Sequence, residues 1–217
     1  RRTRNQVMSK NTLFEDLQQE VDIESGKSPF FYRRAFRRLS KKYAADPQKL
    51  IRDELSDRNS DSPDDNVIRR FPKQGHLFMF EYSSEKDNVS VFDPFPLVFV
   101  IKLEGTSFLG CNLHYIHPLK RRIVVNNLRR NKLTLPYNSI SKYNISQIKG
   151  LLLDVARSEW TSASNLPIED FVSIEDGKSR SINITDVWKN NNRSFRKMLR
   201  GALIYKGYGT NDEDFKG

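Results

Sequence analysis

Cys111, His114 and His117 are spaced C-x2-H-x2-H, residue types and a spacing that would suit a metal clip. A strand across this segment puts Cys111 and His117 on one face and His114 on the other, because side chains alternate along a strand. No metal is therefore expected here: His114 is read as hydrogen-bonded in the core and Cys111 as a small packed hydrophobe. Metal-dependent phosphodiester cleavage needs carboxylates around Mg2+ with a nearby lysine, and Asp93, Lys102 and Glu104 are the nearest such group. A turn and a solvent face explain those residues more simply. The chain has no G-x-S-x-G elbow, Walker loop, G-x-G-x-x-G loop or H-E-x-x-H helix. The expectation is a protein without enzymatic activity, cofactor or small-molecule substrate.

Clustered cations offer a different chemistry. The 217 residues include 37 Lys+Arg against 27 Asp+Glu, a formal charge of +10. Arg33, Arg37 and Lys41 form one i, i+4 row, and Arg34, Arg38 and Lys42 form the adjacent row, with no acid between them. Lys120, Arg121, Arg122, Arg129, Arg130 and Lys132 repeat the pattern, as do Arg193, Arg196, Lys197 and Arg200. Like charges at helical spacing repel by a few tenths of a kcal/mol per pair, so acid-free basic faces imply a polyanion to neutralise them. Double-stranded DNA, gripped through its phosphates, is the expected partner. Base readout is not expected, since the chain shows no basic-region zipper, Cys/His finger or RNP-like strand. The competing reading is a solvated face, or contact with acidic protein neighbours.

These cations need helices to carry them. Ser28-Pro29 opens one that runs to about Tyr43, with Tyr32, Phe36, Leu39 and Tyr43 at i, i+4, i+7 and i+11. Pro118 opens another to about Asn131, with Leu119, Ile123, Val124 and Leu128 expected inward. Weaker helical periods run from Asn11 to Glu24, where Thr12 and Glu15 form a capping box, through Ser139–Trp160, and from Asn192 to Tyr205. Between them the period changes to two: His76–Tyr82, Val89–Phe92, Phe95–Leu103 and Phe108–Ile116 read as antiparallel strands joined by short turns. The expected class is α+β, a small antiparallel sheet or SH3-like barrel flanked by basic amphipathic helices. The expected division is a helical arm and linker over 1–66, a β-core with its following helices over 67–160, and an extension over 161–217. Asp53–Asn66 reads as linker and Trp160–Arg180 as irregular.

Other classes fall away. The most apolar stretch, Phe95–Leu103, is too short and too interrupted to span a membrane, and the mean hydropathy is −0.67. A lone cysteine forms no disulfide within the chain, and no apolar run follows the basic N-terminus as a secretory leader would require. A reducing compartment and no membrane partner are expected.

Three runs, Gly75-His-Leu-Phe-Met-Phe-Glu-Tyr82, Phe92-Asp93-Pro94-Phe95-Pro96-Leu97-Val98 and Phe108-Leu-Gly110-Cys-Asn112-Leu-His114-Tyr115, stand with Pro118, Leu119 and Arg121 close behind. Together they resemble the DNA end protector family of T-even-type contractile-tailed phages, whose members share a (Y/F)-D-x-F-P-L-V strand and an F-x-G-x-N-L-H-Y strand. The likeness covers roughly forty-five residues, with Phe92 where tyrosine is expected. The basic helix from Ser28 also resembles the family's N-terminal arm. The resemblance implies a virion component assembled in the host cytoplasm, at the head, neck or genome terminus, with double-stranded DNA and portal, neck or tail subunits as partners. A purely structural tail, neck or baseplate subunit is the alternative. In the motif residues themselves, Asp93 caps a turn, Phe95 and Leu97 face one side of the strand with Pro96 between them, and Gly110 permits close backbone approach at a bulge. Asn112, His114 and Tyr115 then read as a fold-determining polar network.

Overall fold

The computed structural model describes residues 15, 17, 19, 29–46, 48, 67–83, 91–175, 178–189 and 204–206. Its centre is an antiparallel six-stranded sheet built from β1 (Val67–Arg69), β2 (Leu77–Tyr82), β4 (Leu97–Glu104), β5 (Ser107–Asn112), β7 (Ile140–Asn144) and β8 (Ile148–Val155). The strand order is β1-β8-β2-β4-β5-β7, so the last of these strands in sequence lies between the first two. A second sheet, ordered β10-β9-β3, joins β3 (Val91–Phe92), β9 (Phe171–Glu175) and β10 (Lys178–Ile182). A two-stranded ribbon pairs β6 (Thr134–Pro136) with β11 (Ile204–Lys206).

Alternation along the strands sorts the core into two layers. Leu77 and Met79 of β2, Leu97, Phe99 and Ile101 of β4, and Leu151 and Leu153 of β8 enter one apolar cluster. Their neighbours Phe78, Phe80, Val98, Val100 and Leu152 enter the other. Helix α1 (Pro29–Ala44) covers the first face with Tyr32, Ala35, Phe36 and Leu39. Helix α2 (Pro118–Arg129) covers the same face with Val124, Val125 and Leu128, and α3 (Trp160–Ser164) adds Trp160 and Ala163. Opposite, Phe92, Val172 and Ile174 of the three-stranded sheet close over the aromatic cluster of Phe80, Phe108 and Tyr143. The order of layers is helices, large sheet, small sheet. Residues 184–189 form a further helical segment, α4.

The class is α+β with antiparallel sheets, as the sequence predicts, but no barrel closes. Strands β1 and β7 are the two edges of the open sheet and do not pair with each other. The helix expected across Ser139–Trp160 is replaced by β7, a short 3-10 turn and β8. Leu151, Leu152 and Leu153 form a continuous apolar run because β8 is buried on both faces, and such a run satisfies helical spacing by accident. Gly150, at φ 88°, supplies the left-handed residue at the register shift where β8 passes β2 between Met79 and Glu81. The strand expected over Phe108–Ile116 stops at Asn112, and Leu113–Tyr115 turn as a 3-10 helix. In α2, Leu119 and Ile123 are 82% and 62% exposed; Arg121 and Val125 take the inward places instead. The stretch Trp160–Arg180, expected to be irregular, holds α3, β9 and most of β10. Residues 15, 17 and 19 are helical, as the weak period over Asn11–Glu24 predicts for those positions. The linker Asp53–Asn66 lies outside the described residues, and so does the C-terminal helix expected to Tyr205, except that Ile204 and Tyr205 are in strand.

Candidate nucleic-acid interface and its buried polar frame

The motif residues converge on one carboxylate. Asp93, 3% exposed, directly follows β3; its Oδ1 accepts the Phe95 amide at 3.0 Å, which fixes the turn through Pro94 and buried Pro96 into β4. Its Oδ2 takes the Asn112 side-chain amide at 3.0 Å and pairs with His114 Nδ1 at 2.8 Å. Asn112, fully buried, returns its own Oδ1 to the His114 backbone N–H at 2.9 Å and so caps the 3-10 turn. Tyr115 follows, its ring 4.7 Å from Phe171, and burial raises its phenol pKa with Asp93 adding to the effect. Gly110 sits against β4: a Cβ there would fall 2.2 Å from Val98 Cγ1. The network ties the first strand of the small sheet to the end of β5.

Cys111, His114 and His117 do not meet, though for a different reason from the alternation argument, since the chain has already turned after Asn112. Cys111 Sγ lies 3.2 Å from Ser139 Oγ, and burial pushes its thiol up to about 12. His117 caps α2 by accepting the Leu119 N–H at 3.3 Å. Among the described residues no three His, Cys, Asp or Glu side chains are placed to hold a metal. Asp93, Lys102 and Glu104 are also apart: Glu104 pairs with Lys142 at 3.3 Å, while Asp93 is committed to the buried network.

The cations divide into two populations. Arg37 grips Glu81 of β2 through Nε, at 2.8 Å from Oε2, and through Nη2 on Oε1. These bonds hold the Glu81 carboxyl below its usual range. Arg33 stands 3.1 Å from Glu169, whose carboxyl is pushed up by burial. The acid-free reading of this helix is therefore corrected: acids from β2 and from the loop before β9 face it. Arg121 is interior, 3% exposed, and donates to the carbonyls of Leu113 (2.9 Å), Ser164 (2.6 Å) and Ile116 (3.0 Å). Burial lowers its pKa to about 10, so it stays charged at neutral pH but offers nothing to a phosphate outside. Arg34, Arg38, Lys41 and Lys42 of α1 are exposed, as are Lys120, Arg122, Arg129, Arg130 and Lys132 on and after α2. Among the described residues, no acid pairs with Arg34, Lys41, Lys42, Arg122, Arg129, Arg130 or Lys132. Arg193, Arg196, Lys197 and Arg200 lie outside the described residues.

Other polar anchors went unread in the sequence. Asp154 of β8, 2% exposed, receives Arg69 Nε at 2.6 Å and lies 2.9 Å from His76 Nδ1. An aspartate at the end of the run Leu151-Leu152-Leu153 was the available signal, because a buried charge requires partners. Arg157 donates to Arg129 O and Asn131 Oδ1, both at 2.6 Å, closing the C-terminus of α2. Asn131 takes φ 56° there, with the Asn131 and Lys132 amides folded back on Leu128 and Asn127. Trp188 of α4 donates its indole N–H to His114 O at 2.8 Å, tying that segment to the motif turn.

No family model, curated protein or solved structure matches the chain.

Proposed function

We propose that the chain is a non-enzymatic phage virion protein that binds packaged double-stranded DNA, or its ends, at the head or neck through phosphate contacts. One observation carries the reading. Helices α1 and α2 bury their apolar sides in one cluster on one face of the large sheet, so their outward cations belong to the same side of the molecule. Seven of those cations, Arg34, Lys41, Lys42, Arg122, Arg129, Arg130 and Lys132, have no acidic partner among the described residues. A face of this kind attracts a polyanion and holds it with strong salt dependence. The first turn of α2 supports the same partner, since it carries Lys120 and Arg122 at the positive end of the helix dipole and no acid.

The test separates the two cation populations. Each phosphate neutralised adds about 0.9 to the slope of log K against log salt. Arg34→Gln/Lys41→Gln/Lys42→Gln is expected to weaken duplex binding for every sequence alike and to flatten that slope. Arg33→Gln/Arg37→Gln, which removes ion-paired groups, is expected to lower stability while leaving the slope in place. If the first variant binds DNA unchanged but fails to enter particles, the helices contact protein and the chain is a tail, neck or baseplate subunit.

A further inference from the structure

The outer face of α2 is not purely basic. Leu119 and Ile123, one turn apart, are 82% and 62% exposed, and Arg122, Asn126, Arg129 and Arg130 are exposed around and beyond them. Apolar surface ringed by cations fits an acidic segment that also carries an aromatic side chain. The chain contains such a segment, Asp212-Glu213-Asp214-Phe215, six residues beyond Lys206. β11 runs antiparallel to β6 with Ile204 opposite Pro136 and Lys206 opposite Thr134, so Lys206, from which the segment follows, lies beside a residue five positions past the end of α2 at Arg129. The six residues from Lys206 to Asp212 reach roughly 20 Å when extended. The eight positions from Arg130 back to Arg122 span roughly 12 Å of helix.

We propose that Asp212–Phe215 docks on the outer face of α2, its three carboxylates on Arg122, Arg129, Arg130 and Lys132 and its phenyl ring on Leu119 and Ile123. Docked there, the segment occupies cations that a polyanion would otherwise take, so it acts as an internal competitor for that face. The second consequence rests on the DNA reading; the docking does not.

Two measurements on the full chain test the pair separately. Cys111 is buried, so introduced thiols react alone. With Asn126→Cys and Lys216→Cys, mild oxidation is expected to close an intramolecular disulfide about tenfold faster than in a control carrying Ser179→Cys on exposed β10 and Lys216→Cys. High salt is expected to reduce that advantage. Equal rates in the two chains, absence of the Asn126 cross-link, or a cross-linked dimer in its place overturns the docking. In the second measurement, Asp212→Asn/Glu213→Gln/Asp214→Asn is expected to bind duplex DNA about threefold to tenfold more tightly. A closed disulfide in a chain that binds no DNA overturns the DNA reading and leaves the docking standing. DNA binding unchanged by the triple substitution, with no disulfide, overturns the docking alone.

Discussion

Asp93 is the residue on which the motif depends. Its carboxylate accepts from Phe95 and Asn112 and pairs with His114, so Asp93→Ala leaves several buried polar groups without partners. A loss of about 3–5 kcal/mol is expected, read as a shift in the urea midpoint at unchanged m. Gly110→Ala is expected to cost about 1–3 kcal/mol by overpacking, because the new methyl meets Val98 at 2.2 Å. Val98→Ala in the same chain should recover part of that loss, so the double variant is less destabilised than the sum of the two. The two local parts of the motif were legible, an aspartate capping the turn at a proline and Asn and His two positions apart; that Asp93 receives both Asn112 and His114 from 19 and 21 residues away was not, because only the pairing of strands brings them together. Arg121 was not legible either. Its sequence neighbours Lys120 and Arg122 advertise a surface cation, and only the fold brings the carbonyls of Leu113, Ile116 and Ser164 around it.

At the scale of elements, α1 is held by a clasp that titrates in two directions. Glu81 has its folded pKa lowered by Arg37, so its contribution is present above the ordinary glutamate value and is lost as pH falls through the lowered one. Glu169 has its folded pKa raised by burial, so its contribution is full below the ordinary value and is lost as pH rises through the raised one. Unfolding midpoints measured between about pH 3 and pH 8 are expected to respond oppositely: Glu81→Gln flattens the acid-side fall, and Glu169→Gln flattens the decline on the rising side. The helix itself was legible from Tyr32, Phe36 and Leu39, since amphipathic spacing states which side is buried. The acids facing it were not, because they arrive from β2 and from the loop before β9. In α2 the apolar period misled: Leu119 and Ile123 are traded outward so that Arg121 can close the turn at Leu113–Tyr115.

For the whole molecule, Asp93 joins the small sheet to the end of β5 beneath the shared aromatic layer, and Trp188 joins α4 to the motif turn. Trp188→Phe removes the indole bond to His114 O and is expected to loosen the α4 segment before the core, seen as early local hydrogen exchange near residues 184–189 with the global midpoint nearly unchanged. The antiparallel class was legible from the alternating aromatic strands. The strand order was not, since nothing local in Ile148–Val155 says that it lies between β1 and β2.

That order has a consequence for how the protein is made. A ribosome releasing this chain completes β2, β4, β5 and β7 while the place beside β2 is still empty, and β1 has no neighbour until β8 emerges. Arg69 and His76 likewise wait for Asp154. Synthesis therefore carries an unfilled place between the edge strand β1 and the rest of the sheet for most of its length, and a nascent chain arrested before Ile148 is expected to remain protease-sensitive, whereas one released past Val155 acquires protection.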